Sequence, residues 1–432
     1  MIKDLKKQRL RMRFSDLEIV LFAITVFLYS FDGYIFYISG IVYLLILLFN
    51  MLSPNSRTGV AIKKDSSKYV LLYIIVYPIL NWFAYNYNAL NSIEIRNIFG
   101  YFLLLSFLLS KGNNFDRLGY FYKVLIAFGV FEAVCVIVQF IMPAAFLSVY
   151  GILFPIRVNT AALKMKEGYL WGFTNQVANT AYYILVAIAI KFSNEEIKKK
   201  KDRVLLLVLF VSLLLTGKRG HMLFCLSALI LTYFFSDNNK LKLKTWTKLF
   251  GVFLACVLVI TILYNSKTVI GYRVVETING IFSGNDVSNS RSIINALTIS
   301  IILKNWLIGI GWGRYKYEYQ AHWKILSGGT WDQTYNAHNI YLQLLAEVGI
   351  VGFILFLMLS VMGLYFGIKL LRNCRYFSNW EQFIIKMNFF IQVFFLLYGI
   401  TGNPLYDYNE YSMYFIAIAV SAQMFRNIKK LG

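Results

Sequence analysis

The sequence predicts an all-α polytopic integral membrane protein of about 12 transmembrane helices, with two long outward-facing loops and an interfacial helix in the larger one. Three observations predict it. Of 432 residues, 58% are hydrophobic and only 15% charged, far from the balance of a soluble domain. Apolar runs long enough to cross about 30 Å of hydrocarbon recur from end to end, which describes one bundle over 1–432 rather than a soluble domain with an anchor. Lysine and arginine gather in alternate connections, as membrane topology demands.

In chain order the crossings read 17–31, 34–52, 69–86, 95–110, 118–142, 174–190, 203–216, 220–236, 249–265, 339–366, 383–400 and 409–425. The basic start MIKDLKKQRLRMRF leads into the first of them with no small-residue cleavage site, so no removable signal peptide is expected. Even parity puts both termini on one side. That face carries 30 of the 43 lysines and arginines, which makes it cytoplasmic by the positive-inside rule. The outer face receives two long segments, 143–173 and 266–338.

A thirteenth crossing at RSIINALTISIILKNWLIG, 291–309, would move basic connections outside. It reads instead as a helix over about 291–308 lying in or near the outer surface, with Arg291, Asn295, Thr298 and Asn305 on one face. Glu132 and Gln139 in the fifth span, with Asn388 and Gln392 in the eleventh, read as packed polar groups, a Glu–Lys or Glu–Tyr bond among them. Cys135, Cys225, Cys256 and Cys374 show no metal-ligand or disulfide spacing and read as packing residues. The net charge of +22 sits between spans, where lipid and topology explain it, so no nucleic-acid partner is expected.

The outward turn GKRG interrupts two apolar runs. Lys218 and Arg219 stand where short outward loops disfavour cations. The run before them, Val204 to Leu215, spans only about 18 Å, so the turn is expected to be recessed and its cations to need an anion. Arg157, Arg273, Arg291 and Arg314 also fall outside. A guanidinium fork binds phosphate oxygens in pairs and keeps its charge when partly desolvated, so a lipid-linked diphosphate suits this set. Pairing of single arginines with loop carboxylates is the plainer reading of all but Arg219, in the recessed turn, and Arg291, which opens the interfacial helix.

All three histidines lie on the outward side, and His338 directly precedes the tenth span in NAHNIYLQLLAEVGIVGF. An imidazole can take a proton from an attacking hydroxyl at neutral pH, which makes His338 the candidate base. Asn339, Gln343 and Glu347 follow as a polar stripe expected to face the bundle, where Glu347 would orient a substrate or a partner. GIGWGR, with no strand before it, reads as a flexible turn, and Gly349, Gly352, Gly363 and Gly367 as close-packing positions. No DxD or P-loop offers a seat for a nucleotide sugar or ATP, and no metal or other cofactor is expected.

The stretches LLLTGKRGHMLF, NSRSIINALTISIILKNWLIGIGWGRY and AHNIYLQLLAEVGIVGF together resemble the O-antigen polymerase and ligase family of bacterial envelope glycosyltransferases, over about 203–367. Arg219 resembles that family's arginine after a span end, Arg291 its arginine before the loop helix, and His338 the histidine of its HN pair. The resemblance implies a plasma-membrane enzyme that moves a glycan from an undecaprenyl diphosphate donor to a sugar hydroxyl at the outer face. A flippase and a chain-length regulator are possible partners. The family's polymerases are described with an arginine followed eleven residues later by glycine in both outer loops; Arg157 with Gly168 and Arg273 with Gly284 fit, favouring polymerase over ligase. The rival class is a transporter of the same lipid-linked unit, which predicts internal repeats and midplane charge in both halves; neither is evident.

Overall fold

The computed structural model describes residues 118–174, 176–193, 200–236, 291–311, 313–326 and 336–428, with scattered positions elsewhere. The chain is helical throughout these residues: α1 (Leu118–Ile141), α2 (Pro143–Leu153), α3 (Val158–Lys166), α4 (Val177–Ser193), α5 (Lys200–Leu215), α6 (Arg219–Phe234), α7 (Arg291–Lys304), α8 (Tyr315–Leu326), α9 (Ile340–Arg372), α10 (Asn379–Tyr398) and α11 (Tyr408–Ile428). Among the described residues, α1, α9 and α10 are long and apolar enough to cross a bilayer, and α2, α4, α6 and part of α7 are shorter apolar helices. The first four expected crossings lie outside the described residues except for isolated helical positions, as does most of 249–265.

The helix ends follow from local chemistry. At the start of α10, Ser378 and Glu381 form a reciprocal capping box that satisfies two otherwise orphaned N–H groups. Asn339 begins α9, its Oδ1 accepting from the backbone N–H groups of Tyr341 (3.0 Å) and Leu342 (3.1 Å). Lys369 and Arg372 close α9, where cations favour a helix C-terminus.

Helix α10 is the centre of the bundle, packed by α4, α6, α9 and α11. Its large aromatic residues fill the space; Phe395 stacks on Tyr414 of α11 with centroids 3.9 Å apart. Gly363 and Gly367 of α9 allow the close approach expected of them: a Cβ at either would press into Gln392 and Ile418, or into Phe389. Gly352 faces only Val348 of its own helix.

Gly349 does something different. Its φ of 63° and ψ of −171° break α9, in a region of backbone space that is essentially glycine's alone. The segment after α7 fits the break: Ile310 N–H donates to Ala346 O (2.9 Å), Gly311 N–H to Glu347 O (2.8 Å), and Ile350 N–H to Trp306 O (2.8 Å). GIGWGR is therefore a pinned clasp rather than a flexible turn, with Gly309, Gly311 and Gly313 all at positive φ. The carbonyls freed by breaking a helix need donors, and the loop backbone supplies them.

Two further sequence expectations are corrected. Helix α7 ends at Lys304 and packs inward through Ile294, Leu297 and Ile301 onto Tyr315, Tyr319, Ala337 and Ala346. Thr298 joins that buried face, its hydroxyl 2.6 Å from Tyr315 Oη, while Ile299 and Leu303 are exposed. Polar and apolar residues thus do not divide as the helical spacing suggested. Among the described residues, Glu132 and Gln139 bind neither lysine nor tyrosine: they hold the loop before α4, Glu132 accepting from Phe173 N–H (3.0 Å) and the Thr180 hydroxyl (3.3 Å), and Gln139 from Gly172 N–H (3.0 Å). Cys135, Cys225 and Cys374 are buried; Cys256 lies outside the described residues.

Candidate functional site

One end of the bundle brings the turn that carries Lys218 and Arg219 to the start of α9, which carries His338 and Asn339. The turn between α5 and α6 rests on Gly217, whose φ of 73° permits the reversal. A Cβ there would lie 3.4 Å from the carbonyl oxygen of Gly168, so the loop containing 154–174 comes directly against the turn. On the other side, a Cβ at Gly220 would lie 3.4 Å from Thr401 Oγ1, just past the end of α10. Lys218, half-buried, occupies the N-cap position of α6, and Arg219, exposed, is its first residue. Two cations thus stand at the positive end of a helix, a setting that favours anions.

The start of α9 reaches the same corner. Ile340 N–H donates to Gly399 O at 2.9 Å, joining it to the end of α10. His338, two residues earlier, has a φ of 52°, the one positive φ at a non-glycine among the described residues. Its neighbours hold it there: Ala337 N–H donates to Gln343 Oε1 (3.0 Å), Asn339 caps the helix, and Ile340 is tied to Gly399. Left-handed backbone at a side-chain-bearing residue costs about 1–2 kcal/mol; it persists where surroundings over-determine it, a situation concentrated at functional sites. The same cluster that seats α7 includes Ala337. Arg291, the first residue of α7, therefore begins one turn before Ile294, which packs with the residue beside His338.

Glu347 lies deeper, fully buried. One oxygen accepts from Tyr315 N–H (3.2 Å) and Gln343 Nε2 (3.3 Å); the other accepts from the Tyr406 hydroxyl. The polar stripe on α9 does face inward, and Glu347 uses it to hold protein partners: the residue after Arg314, and the segment between α10 and α11. Asn339 likewise spends its carbonyl oxygen on the helix cap.

Between α10 and α11, Asp407 lies in the fields of both Lys218 and Lys316. The carboxylate is thus within electrostatic reach of the turn and of the start of α8, just after Arg314. Burial pushes Asp407 up to about 6, and the two lysines pull in the opposite direction without cancelling it. Because the folded value is above the ordinary carboxylate value, proton binding favours the folded state. The resulting stability is present at low pH and lost as pH rises through about 6. The expected result is a wild-type unfolding temperature that falls by a few degrees over this window, and an Asp407→Asn chain that lacks that part of the fall. Equal slopes for the two proteins in detergent-solubilised thermal melts would contradict it.

Burial pushes the Tyr150 hydroxyl up to about 12, against the opposing charge of Arg157, the N-cap residue of α3. Its loop partner Gly168, at φ 77°, is the residue that touches Gly217. Arg273 lies outside the described residues. Lys164 pairs with Glu167 at 2.6 Å. Among the described residues no group of three His, Cys, Asp or Glu side chains is arranged to hold a metal ion.

Sequence reasoning passed over His221, Asp407 and Glu410. His221 was visible beside the cationic turn, but its partner Glu410 is 189 residues away, and nothing in LYDYNE points back to it.

Residues 204–357 match the family model described as O-antigen ligase. The match runs from α5 through the break in α9, taking in the turn, α7, the clasp and His338, and stopping short of Asp407 and Glu410. No curated protein matches the chain.

Proposed function

We propose, from the match of residues 204–357 to the family model described as O-antigen ligase, that this chain polymerises lipid-linked oligosaccharide repeat units at the outer face of the bacterial plasma membrane. The family assignment supports a glycan-processing role of the ligase or polymerase type. The observation that carries the site is the meeting of the cationic turn and the start of α9 at the end of α10: Ile340 N–H donates to Gly399 O at 2.9 Å, and a Cβ at Gly220 would lie 3.4 Å from Thr401 Oγ1.

In this reading the donor is a glycan on undecaprenyl diphosphate. The acceptor hydroxyl oxygen attacks the anomeric carbon from the face opposite the diphosphate. The new C–O bond forms as the bond to the diphosphate oxygen breaks, so the anomeric configuration inverts and the electron pair leaves with the lipid diphosphate. His338 takes the hydroxyl proton. Lys218, Arg219 and Arg291 meet the charge developing on the leaving group, a task that in this scheme calls for no metal ion. Arg314, Arg157, Arg273 and Asn339 are assigned to donor or glycan binding. Glu347 is assigned a positioning role, through Tyr315 and Tyr406. The layout keeps twelve crossings, cytoplasmic termini and an outward site, with a flippase and a chain-length regulator as the partners that deliver donor and set product length.

Arg219→Ala is expected to lower chain extension by about 10²–10³-fold while leaving the unfolding temperature unchanged, the size of effect seen when one preorganised charge-stabilising group is lost. Arg219→Lys should recover part of it, as a point charge replaces a two-pronged one. The assay is purified protein with synthetic undecaprenyl-diphosphate repeat units, scored for longer lipid-linked products. Full-length polymer from Arg219→Ala sinks the assignment.

A second reading, ligation of a finished glycan to a different acceptor, is favoured by the description of the matching family as a ligase. The same donor offered with a second lipid-linked unit or with a non-lipid-linked acceptor glycan separates the two. The Arg157 and Gly168 pair supports polymerase, because Gly168 is the loop residue that meets the turn.

A further inference from the structure

Directly beneath the turn lies a pair of ionisable groups that the mechanism above does not use. His221, in the first turn of α6, has Nε2 3.3 Å from Glu410 Oε1, in the first turn of α11, and both side chains are fully buried. The imidazole lies against α10, its ring centroid 4.2 Å from that of Tyr398 and 5.7 Å from that of Phe394. Among the described residues, His221 Nδ1 and Glu410 Oε2 have no hydrogen-bond partner. A half-satisfied buried polar pair is expensive, and apolar residues of similar shape commonly serve stability as well or better. A pair retained at such cost in the core points to a task other than holding the fold.

The surroundings name the task. The Lys218–Arg219 dipeptide is bracketed by Gly217 and Gly220, and α6 starts without a side-chain cap. Local bonds shape the turn, Lys218 N–H donating to Thr216 Oγ1 (3.3 Å) and Arg219 N–H to Gly217 O (3.1 Å), but these bonds do not reach α11. Glu410 sits three residues after Asp407, the carboxylate facing Lys218. Lys218 is also within electrostatic reach of His221 and Glu410. A bond from His221 to Glu410 therefore ties the start of α6 to the start of α11, and with it sets the separation of Lys218 from Asp407.

We propose that His221 and Glu410 are positioning residues whose hydrogen bond holds the Lys218–Arg219 turn in register to receive the diphosphate. The proposal rests on the anion-binding role given to that turn above.

The test uses the full chain in detergent and the affinity for farnesyl diphosphate, with unfolding temperature measured in parallel. Glu410→Leu is expected to weaken binding about tenfold, Glu410→Gln to stay within about twofold of wild type, and Glu410→Leu to add nothing once Arg219 is alanine, as for residues acting through one another. The double replacement His221→Phe with Glu410→Leu removes both polar groups and should restore the unfolding temperature, yet still bind about tenfold more weakly. That variant keeps the question answerable where Glu410→Leu alone does not fold. Wild-type affinity in the double variant, or effects of Glu410→Leu and Arg219→Ala that simply add, overturn the positioning role and leave the turn's role standing. Undiminished binding by Arg219→Ala overturns the anion reading itself.

Discussion

His338→Asn is expected to cut chain extension by about 10²–10⁴-fold, the usual contribution of a positioned general base, without lowering the unfolding temperature. Asparagine is the informative replacement because His338 sits at φ 52°. Alanine there would add strain, confusing a catalytic loss with a folding one, whereas asparagine enters the left-handed region more readily than most side chains. It retains hydrogen-bonding capacity and has no basic nitrogen. The readout is the rate of lipid-linked product growth against pH, beside a thermal melt. Activity within a few-fold of wild type would remove the base role from His338. Equal losses of rate and thermal stability would make it a folding residue.

Gly349→Ala is expected to be among the most damaging single-methyl additions in the chain. The φ of 63° with ψ of −171° costs a side-chain-bearing residue about 1–3 kcal/mol. The new Cβ would also stand 2.3 Å from Leu307 O and 2.4 Å from its carbonyl carbon. Backbone cannot swing aside as a side-chain tip can, so a further ~1–3 kcal/mol of overpacking follows. The alternative for the chain is to heal the helix and release residues 306–311, which frees Ile310 and Gly311 N–H groups from their α9 acceptors. Scanning calorimetry of the purified variant should show a lower unfolding temperature, and limited proteolysis should show new cleavage near 306–311. A variant melting with the wild type and resisting protease would contradict the clasp. Gly352→Ala serves as the comparison, since its added Cβ meets only the side chain of Val348.

The apolar runs were legible in the sequence because a membrane helix announces itself by length and hydropathy alone. Seven of the expected crossings lie within a few residues of helices seen here, α1, α4, α5, α6, α9, α10 and α11. The inward stripe from Asn339 to Glu347 was legible for the same reason, polar spacing on an apolar helix. Local pattern failed where a contact between distant segments decides the conformation. Gly349 reads as a packing glycine until the loop that enters its break is known. Thr298 reads as part of a polar face until Tyr315 is found against it. The bond between His221 and Glu410 has no local trace at either end. The resemblance to known transferases located Arg219, Arg291 and His338 by motif. It had no means to supply Asp407 and Glu410, which lie beyond its reach along the chain.

The clasp also bears on how such proteins can be recombined. Trp306 to Gly311 and Ala346 to Ile350 recognise each other through main-chain atoms, so amino-acid identity matters there chiefly through what it forbids. A large loop transplanted from a relative would dock only if it brought a glycine to position 309 and met one at 349. The two short segments would have to be inherited as one exchangeable cassette.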